Sequence, residues 1–301
     1  MSLFVNHVGF NLATDKLQIV EINFRDGRFL IENIDEEPFN YPLTSLSNES
    51  EIIAALQKAY NLIIARKSLN TDIVSFALPD SFYKVAKIPF DDNLMDKDLN
   101  QIINWEFSVL FPQENVNDFL VDKFECSKNK LIFFALNKRV VQTLRKFSSR
   151  NNLILKYIDD AHIASTLNLT INQANYQPNI ISCYIADNYY SLIFSKNNVP
   201  YKFNVYDKSK LFSEEFGIKN RIDSIKNSSL FDGNDKFDFI IWGEEVNDEL
   251  CNKLQKILGY EIKLVNPFEN MKVNAHLRNN SHLNEKYYNF SSAAGLAARL
   301  I

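Results

Sequence analysis

The side chains that most often do chemistry are few in this sequence and widely scattered. Cys126, Cys183 and Cys251 lie far apart in unlike contexts, so neither a disulfide framework nor a CxxC metal or redox pair can be built from them. Each reads as a core thiol. His7, His162, His276 and His282 show no HxxxH spacing, and the closest pair sits in a polar, loop-like stretch, which argues against a zinc set. No GxxxxGK or GxGxxG phosphate cradle occurs, and the chain has only 7 glycines. No paired carboxylates, Ser/His/Asp set or Cys/His set presents itself for catalysis. One carboxylate nevertheless stands out. In IINWEFSVLFPQENV, residues 102 to 116, a helix drawn at about 100° per residue gathers Leu99, Ile102, Ile103, Val109 and Leu110 on one face with Glu106 at its middle. Pro112 must end that helix, because it disfavours the helical region for Phe111.

Composition narrows what such a carboxylate could serve. A chain of 301 residues with 46% apolar and 23% charged residues is ordinary globular usage, long enough for one large or two medium cores. Its 37 acidic against 33 basic residues leave no electrostatic footprint for nucleic acid and no basic cluster for a lipid surface. The longest apolar runs, such as LIFFAL and FIIW, fall far short of the roughly 20 residues that cross a bilayer. MSLFVNHVGF lacks the pattern of a secretory leader, so a cytoplasmic protein is expected.

The elements that would position functional groups repeat. FVNHVGF, LQIVEINF and RFLIENID form three β-rich stretches separated by turn signals at Thr14-Asp15 and Asp26-Gly27. A helix follows, with Asn48 and Glu51 reading as a capping box ahead of IIAALQKAYNLII. The same grammar returns in IISCYIAD, YSLIFS and PYKFNVY, again followed by a helical stretch. Two copies of meander plus helix predict a duplicated α/β fold with a cleft between its halves. Between the copies, TDIVSFALPD and FYKVAKIPF are expected to pair as strands; the opening helix, LVDKF, KLIFFAL and the helix KRVVQTLRKFSSR complete an α+β module. The expected division is residues 1–73 and 151–179 for the first half, 74–150 for an inserted subdomain, 180–275 for a shortened second half and 276–301 for a terminal helix packing back on the core.

ALPDS, KIPF, the helix with its Trp-Glu and aromatic-Pro pairs, KILGYEIKLVNPFENM and the terminal SSAAGLAARL together resemble the PilM family, actin-like assembly proteins of type IV pili and related secretion systems; the cytoplasmic part of GspL-type proteins is similar too. The resemblance covers nearly the whole chain and is weakest over 207 to 236. It implies a duplicated ribonuclease-H-type fold, a nucleotide cleft between the halves, and a groove beside the inserted subdomain that holds the cytoplasmic N-terminal tail of a PilN-type membrane partner. Glu106 then has two readings. Either it bridges its helix to backbone N–H groups of a neighbouring loop, as a buried carboxylate must find a partner, or Trp105, Glu106 and Phe111 line the partner groove.

The family's nucleotide motifs carry over poorly. Anchoring on Val20-Glu21-Ile22 sets Asn11 at the first loop's Asp, Ala13 at its Gly and Gln18 at its Lys. Anchoring on Ser191-Leu192-Ile193 sets Tyr184 at the second loop's Asp, Ala186 at its Gly and Tyr190 at its Thr. In the adenosine-side loop a glycine run becomes Trp242-Gly243-Glu244, followed by Glu245. Asn and Tyr cannot supply the hard anionic oxygens that organise Mg²⁺, alanines obstruct the backbone's approach to phosphate, and two glutamates set negative charge beside an anionic ligand. The segment between Asp207 and Phe237 is also short for a subdomain that normally caps the nucleotide. The resemblance so modified implies a non-catalytic scaffold without cofactor or metal, recruited to the inner membrane through its partner, with self-association left open. The competing expectation is an actin-like ATPase or a sugar-kinase-like enzyme with an unorthodox site.

Overall fold

The structure, a computed structural model, describes residues 6–25, 27–89, 91, 95–127, 130–172, 176–197, 199–215, 217–227 and 236–299. The expected turn at Asp26 and the last residues of the terminal helix lie outside them. In the first half, β1 (His7–Leu12), β2 (Lys16–Arg25) and β3 (Arg28–Pro38) form the meander, and α1 (Glu49–Arg66) leads to β4 (Ile73–Leu78). The capping box is made: Asn48 Oδ1 accepts from the Glu51 N–H at 3.0 Å and Glu51 Oε2 from the Asn48 N–H at 2.8 Å. Then come β5 (Tyr83–Pro89), α2 (Asp96–Leu110), β6 (Phe119–Ser127), β7 (Lys130–Asn137), α3 (Lys138–Arg150), β8 (Ile154–Asp160) and α4 (Ala161–Asn172). The second half runs β9 (Asn179–Ile185), β10 (Tyr189–Lys196), β11 (Val199–Asp207), α5 (Ile218–Lys226), β12 (Phe237–Trp242), α6 (Asp248–Leu258) and β13 (Lys263–Leu264). β14 (Lys272–Val273), α7 (Ser281–Asn284) and α8 (Ser291–Ala297) close the chain.

The duplication is written in the strand order. The first sheet is β14-β3-β2-β1-β4-β8 and the second β11-β10-β9-β12-β13. Setting β14 aside, both place the third meander strand outermost, the second antiparallel to the first, and two parallel strands beyond it. In each half, apolar side chains on one face pack under that half's own helices. Phe10, Phe76 and Phe147 meet under α1 and α3, while Phe194, Phe239 and Ile241 meet under α5 and α6.

The inserted module is smaller than its expected bounds. β4 does not pair with β5. It lies between β1 and β8 in the first sheet, where a strand with Val74 to Leu78 buried on both faces belongs. α3 packs with α1 over the same core. The module proper is the sheet β5-β7-β6 with α2 on one face. Its other face leans on the second half, with Phe134 against Phe203 at 5.1 Å and Ile132 in one cluster with Ile193.

α2 buries Leu99, Ile103 and Phe107, at a spacing of four, with Ile102 and Glu106 half-buried along the border. The expected face erred at its C-terminal end, since Val109 and Leu110 are 55% and 47% exposed. Phe107 anchors the helix, its ring 5.1 Å from both Phe111 and Phe119. Phe111 thereby takes the sheet-side contact that Leu110 would have made. The helix stops at Leu110 as Pro112 requires.

The two halves are joined by helices that lie on each other's sheets. α8, last in the chain, rests on β1, β2 and β4 of the first half. Gly9 and Gly295 permit the fit: a Cβ on Gly9 would stand 1.9 Å from the Ala293 carbonyl oxygen, and one on Gly295 2.0 Å from that of Ala164. The alanine-rich face of α8 is fully buried. α4, last helix of the first half, is pinned to the second sheet by His162, whose ring nitrogens lie 2.7 Å from Ser191 Oγ and 2.8 Å from Ser182 Oγ. Burial lowers that imidazole's pKa to about 3, so it bridges the serines uncharged.

Candidate functional site

Side chains of both halves fill the space between the two loops that would face a nucleotide. Asn11 projects from β1, Tyr184 from β9, and the loop after β12 delivers Glu244 between them. Glu244 Oε1 accepts hydrogen bonds from Asn11 Nδ2 at 2.9 Å and from the Tyr184 hydroxyl at 2.6 Å. Asn11 Nδ2 also donates to Gln18 Oε1 at 2.9 Å, and Gln18 Nε2 to Glu36 Oε2 at 2.9 Å. Ser292 Oγ, at the start of α8, donates to the Tyr184 oxygen at 2.9 Å and lies 3.0 Å from Ser165 Oγ of α4. Asn11, Gln18, Tyr184 and Ser292 are sealed from solvent and Glu244 is 6% exposed.

The electrostatics follow from that burial. Desolvation raises the Glu244 carboxyl above its ordinary range, and the bonds from Tyr184 and Asn11 partly offset it. An Asp at position 11 would bring a second carboxylate onto Glu244, whereas Asn brings a donor. The residues at 11, 184 and 244 are thus mutually complementary. Beyond Glu244 lies an open concavity of about 630 Å³, walled by Glu36, Glu244, Glu245, Asp248, Glu249 and Glu285 against Lys16 and Lys286. Six carboxylates facing two lysines disfavour an anion there.

The other motif positions divide. Ala13 and Ala186 are buried, and neither has the positive φ that would have called for glycine. Gly243 does, with φ +122°, and a Cβ there would stand 2.3 Å from the Ile185 carbonyl oxygen. The one retained glycine therefore serves the packing of its loop on the end of β9. Tyr190 is not in the cleft. Along β10 side chains alternate, so Tyr189 and Ser191 face the first half while Tyr190 turns into the opposite core, stacked on Tyr206 at 5.1 Å. The cleft residue is Tyr189, whose hydroxyl accepts from the Asp80 N–H at 3.2 Å.

Sequence reasoning missed the acids behind Tyr189. Asp160, at the end of β8, caps α4 by accepting from the N–H groups of His162 and Ile163 at 2.9 and 3.1 Å through Oδ1. Its Oδ2, Asp80 Oδ1 and the Tyr83 hydroxyl are buried without a hydrogen-bond partner among the described residues. Burial carries the Asp160 carboxyl to about 7, and burial with Asp160 nearby raises Asp80 well above its usual range. The only signals available were the Asp in ALPD and the Asp-Asp pair ending LILKYIDD.

A groove of about 340 Å³ opens between β6 and β8, walled by Leu120, Phe124, Phe134, Val141, Leu155 and Ile158, with Tyr83 and Asp160 also lining it. Trp105, Glu106 and Phe111 are not among its walls. They belong to the α2 side of the β5-β7-β6 sheet, and the groove meets the other side. Trp105 is 64% exposed. Glu106 makes no hydrogen bond or ion pair among the described residues, so the internal bridge expected of it is not formed there.

No protein-family model and no curated protein matches this sequence. Solved structures do. The PilM–PilN type IV pilus biogenesis complex matches over 97% of this chain and 98% of that one, with TM-score 0.73 and 16% identity. A Bacteroides thetaiotaomicron protein with an actin-like ATPase fold and unknown function matches over 98% and 96%, with TM-score 0.56 and 12% identity. The cytoplasmic domain of EpsL, an inner membrane component of the Vibrio cholerae type II secretion system, matches over 90% and 89%, with TM-score 0.45 and 6% identity. The fold is actin-like, and the matching strand orders of the two sheets agree with it. Among the described residues no helix is long and apolar enough to cross a membrane.

Proposed function

We propose that this chain is a non-catalytic adaptor without a nucleotide cycle, which captures the cytosolic N-terminal tail of a PilN-like membrane protein in a type IV pilus-like or related secretion or competence assembly. The observation that carries the first part is Glu244. Its carboxylate is held by Asn11 of β1 and Tyr184 of β9, the positions that the resemblance assigns to the two phosphate motifs, and on this reading a nucleotide would have to displace it. The likeness to a PilM–PilN complex supports the second part, and the groove between β6 and β8 offers the tail a seat. On this reading the protein acts in the cytoplasm and reaches the inner membrane through its partner.

ATP with Mg²⁺ is accordingly expected to leave the thermal transition unmoved, since a ligand at 100 times its Kd adds about 2.7 kcal/mol and is readily seen. A saturable shift, or measurable hydrolysis, restores the ATPase alternative.

Tail capture is checked by titrating a synthetic peptide of a PilN-type cytosolic N-terminal tail. Trp105→Ala and Glu106→Gln are expected to leave affinity within roughly twofold of wild type, because hot spots sit where the partner is buried and these residues border the far face of the module. Weakened binding by Trp105→Ala with an unchanged melt would return the partner surface to α2.

A further inference from the structure

The concavity beyond Glu244 is walled from both halves, by Glu36 of the first and by Glu244, Glu245, Asp248 and Glu249 of the second, with Glu285 from the closing segment. It shares no wall residue with the groove between β6 and β8. Part of this negative charge is paired, Glu36 Oε2 lying 3.7 Å from Lys16 Nζ and Glu245 Oε2 3.5 Å from Lys208 Nζ. Asp248 and Glu249, exposed in the first turn of α6, also have a local use, because acids favour the N-terminal end of a helix. No such use accounts for Glu244. Asn11 and Tyr184 both donate to its Oε1, whereas its Oε2 is buried without a hydrogen-bond partner among the described residues. Asn289 Nδ2 donates to the Glu244 carbonyl oxygen at 2.7 Å, and Asn289 Oδ1 is again buried and without a partner among them. Asn11 Oδ1 is in the same position, since Asn11 Nδ2 gives its protons to Gln18 and Glu244. All of these atoms are acceptors, and a buried acceptor is costly until a donor reaches it. The surrounding carboxylates favour a donor that carries positive charge. A metal ion is disfavoured, because among the described residues no three His, Cys, Asp or Glu side chains gather as a metal set.

We propose that the cleft binds a small organic polycation of the aliphatic diamine or polyamine class where a nucleotide would otherwise sit. One primary ammonium donates to Glu244 Oε2, with Asn289 Oδ1 as its neighbouring acceptor, and a second charge rests among Asp248, Glu249 and Glu285. An ammonium has three donors and no acceptor, which suits a site made of acceptors. The concavity, at about 630 Å³, has the size of a small-molecule site. A charge-assisted hydrogen bond to Oε2 also offsets the desolvation that the buried carboxylate bears. The inference rests on the nucleotide-free reading above, but not on tail capture.

The test titrates the whole chain with putrescine, spermidine and, as an uncharged control, butanediol, following heat of binding and the thermal transition. Spermidine should raise the transition saturably and bind more tightly than putrescine, and butanediol should do neither. Glu244→Gln brings its own N–H donor and no charge, so its ligand-free melt should hold while spermidine affinity falls roughly tenfold or more. Asp248→Asn combined with Glu249→Gln, both at exposed positions, should keep the melt and weaken spermidine by about threefold or more. Undiminished binding by Glu244→Gln means attraction to the acidic surface at large and overturns the site. Should that variant fail to fold, unchanged affinity in the Asp248 and Glu249 double variant overturns it instead. Equal stabilisation by Mg²⁺ alone overturns the ligand class. No response to spermidine, with none to ATP and Mg²⁺ either, overturns this proposal and leaves the nucleotide-free reading standing; a saturable response to ATP and Mg²⁺ overturns both.

Discussion

Asp160→Asn is expected to stabilise the protein by roughly 2 to 4 kcal/mol at about pH 8 and to change little at about pH 4. The asparagine keeps an oxygen for the His162 and Ile163 N–H groups and removes a charge that burial makes expensive. The sign follows from proton uptake. With its carboxyl held at about 7, the folded protein binds a proton that the unfolded chain has already released above the ordinary carboxylate range. Stability from this group is thus complete at low pH and is lost as the pH rises through 7. His7 and His162, lowered to about 4 and about 3 by burial, act in the opposite sense, costing stability as pH falls below the imidazole range. The difference between variant and wild type isolates the aspartate. Urea melts of both proteins across that pH range give it, and a variant no more stable than wild type at the alkaline end would mean that the carboxylate is solvated. Asp160→Ala, which also removes the helix cap, should recover about 1 kcal/mol less.

The largest loss is expected at Gly9. Its missing Cβ would stand 1.9 Å from the Ala293 oxygen and 2.9 Å from the Ala297 nitrogen, both backbone atoms, so no side chain can swing aside. Gly9→Ala should cost about 3 kcal/mol or more, the upper end of what overpacking does. Gly295→Ala should behave alike against α4, and Ala294→Leu should cost roughly 1 to 3 kcal/mol. Denaturant midpoints decide it. A Gly9→Ala protein within about 0.5 kcal/mol of wild type would mean that α8 can lift from β1 freely.

Much of this was legible. Alternation and turn residues gave the two meanders, Asn48 and Glu51 gave the start of α1, and Pro112 gave the end of α2. The errors share a cause. Nothing local distinguishes a strand that pairs with its successor from one that enters a distant sheet, so β4 was paired with β5. Periodicity names a helix face but not where its partner sheet ends, so Val109 and Leu110 were counted as buried. For the candidate site, the motif positions Asn11, Gln18, Tyr184 and Glu244 lie together in the structure, whereas Tyr190 faces the other core and Tyr189 faces the cleft, because a one-residue slip along a strand reverses the face. That Asn11 and Tyr184 both donate to Glu244 could not be read from spacing across nearly the whole chain.

The crossing of α4 and α8 bears on how the protein is made. On a ribosome the first half emerges early, and N-terminal units ordinarily fold as they appear. Here one face of β1 and β2 stays bare until α8 is made, since Val20, Ile22 and Gly9 pack against Ala293, Ala294 and Ala297. The first half is therefore expected to complete its core only after the whole second half has been synthesised. A nascent chain that ends short of α8 would present an open apolar sheet face to chaperones.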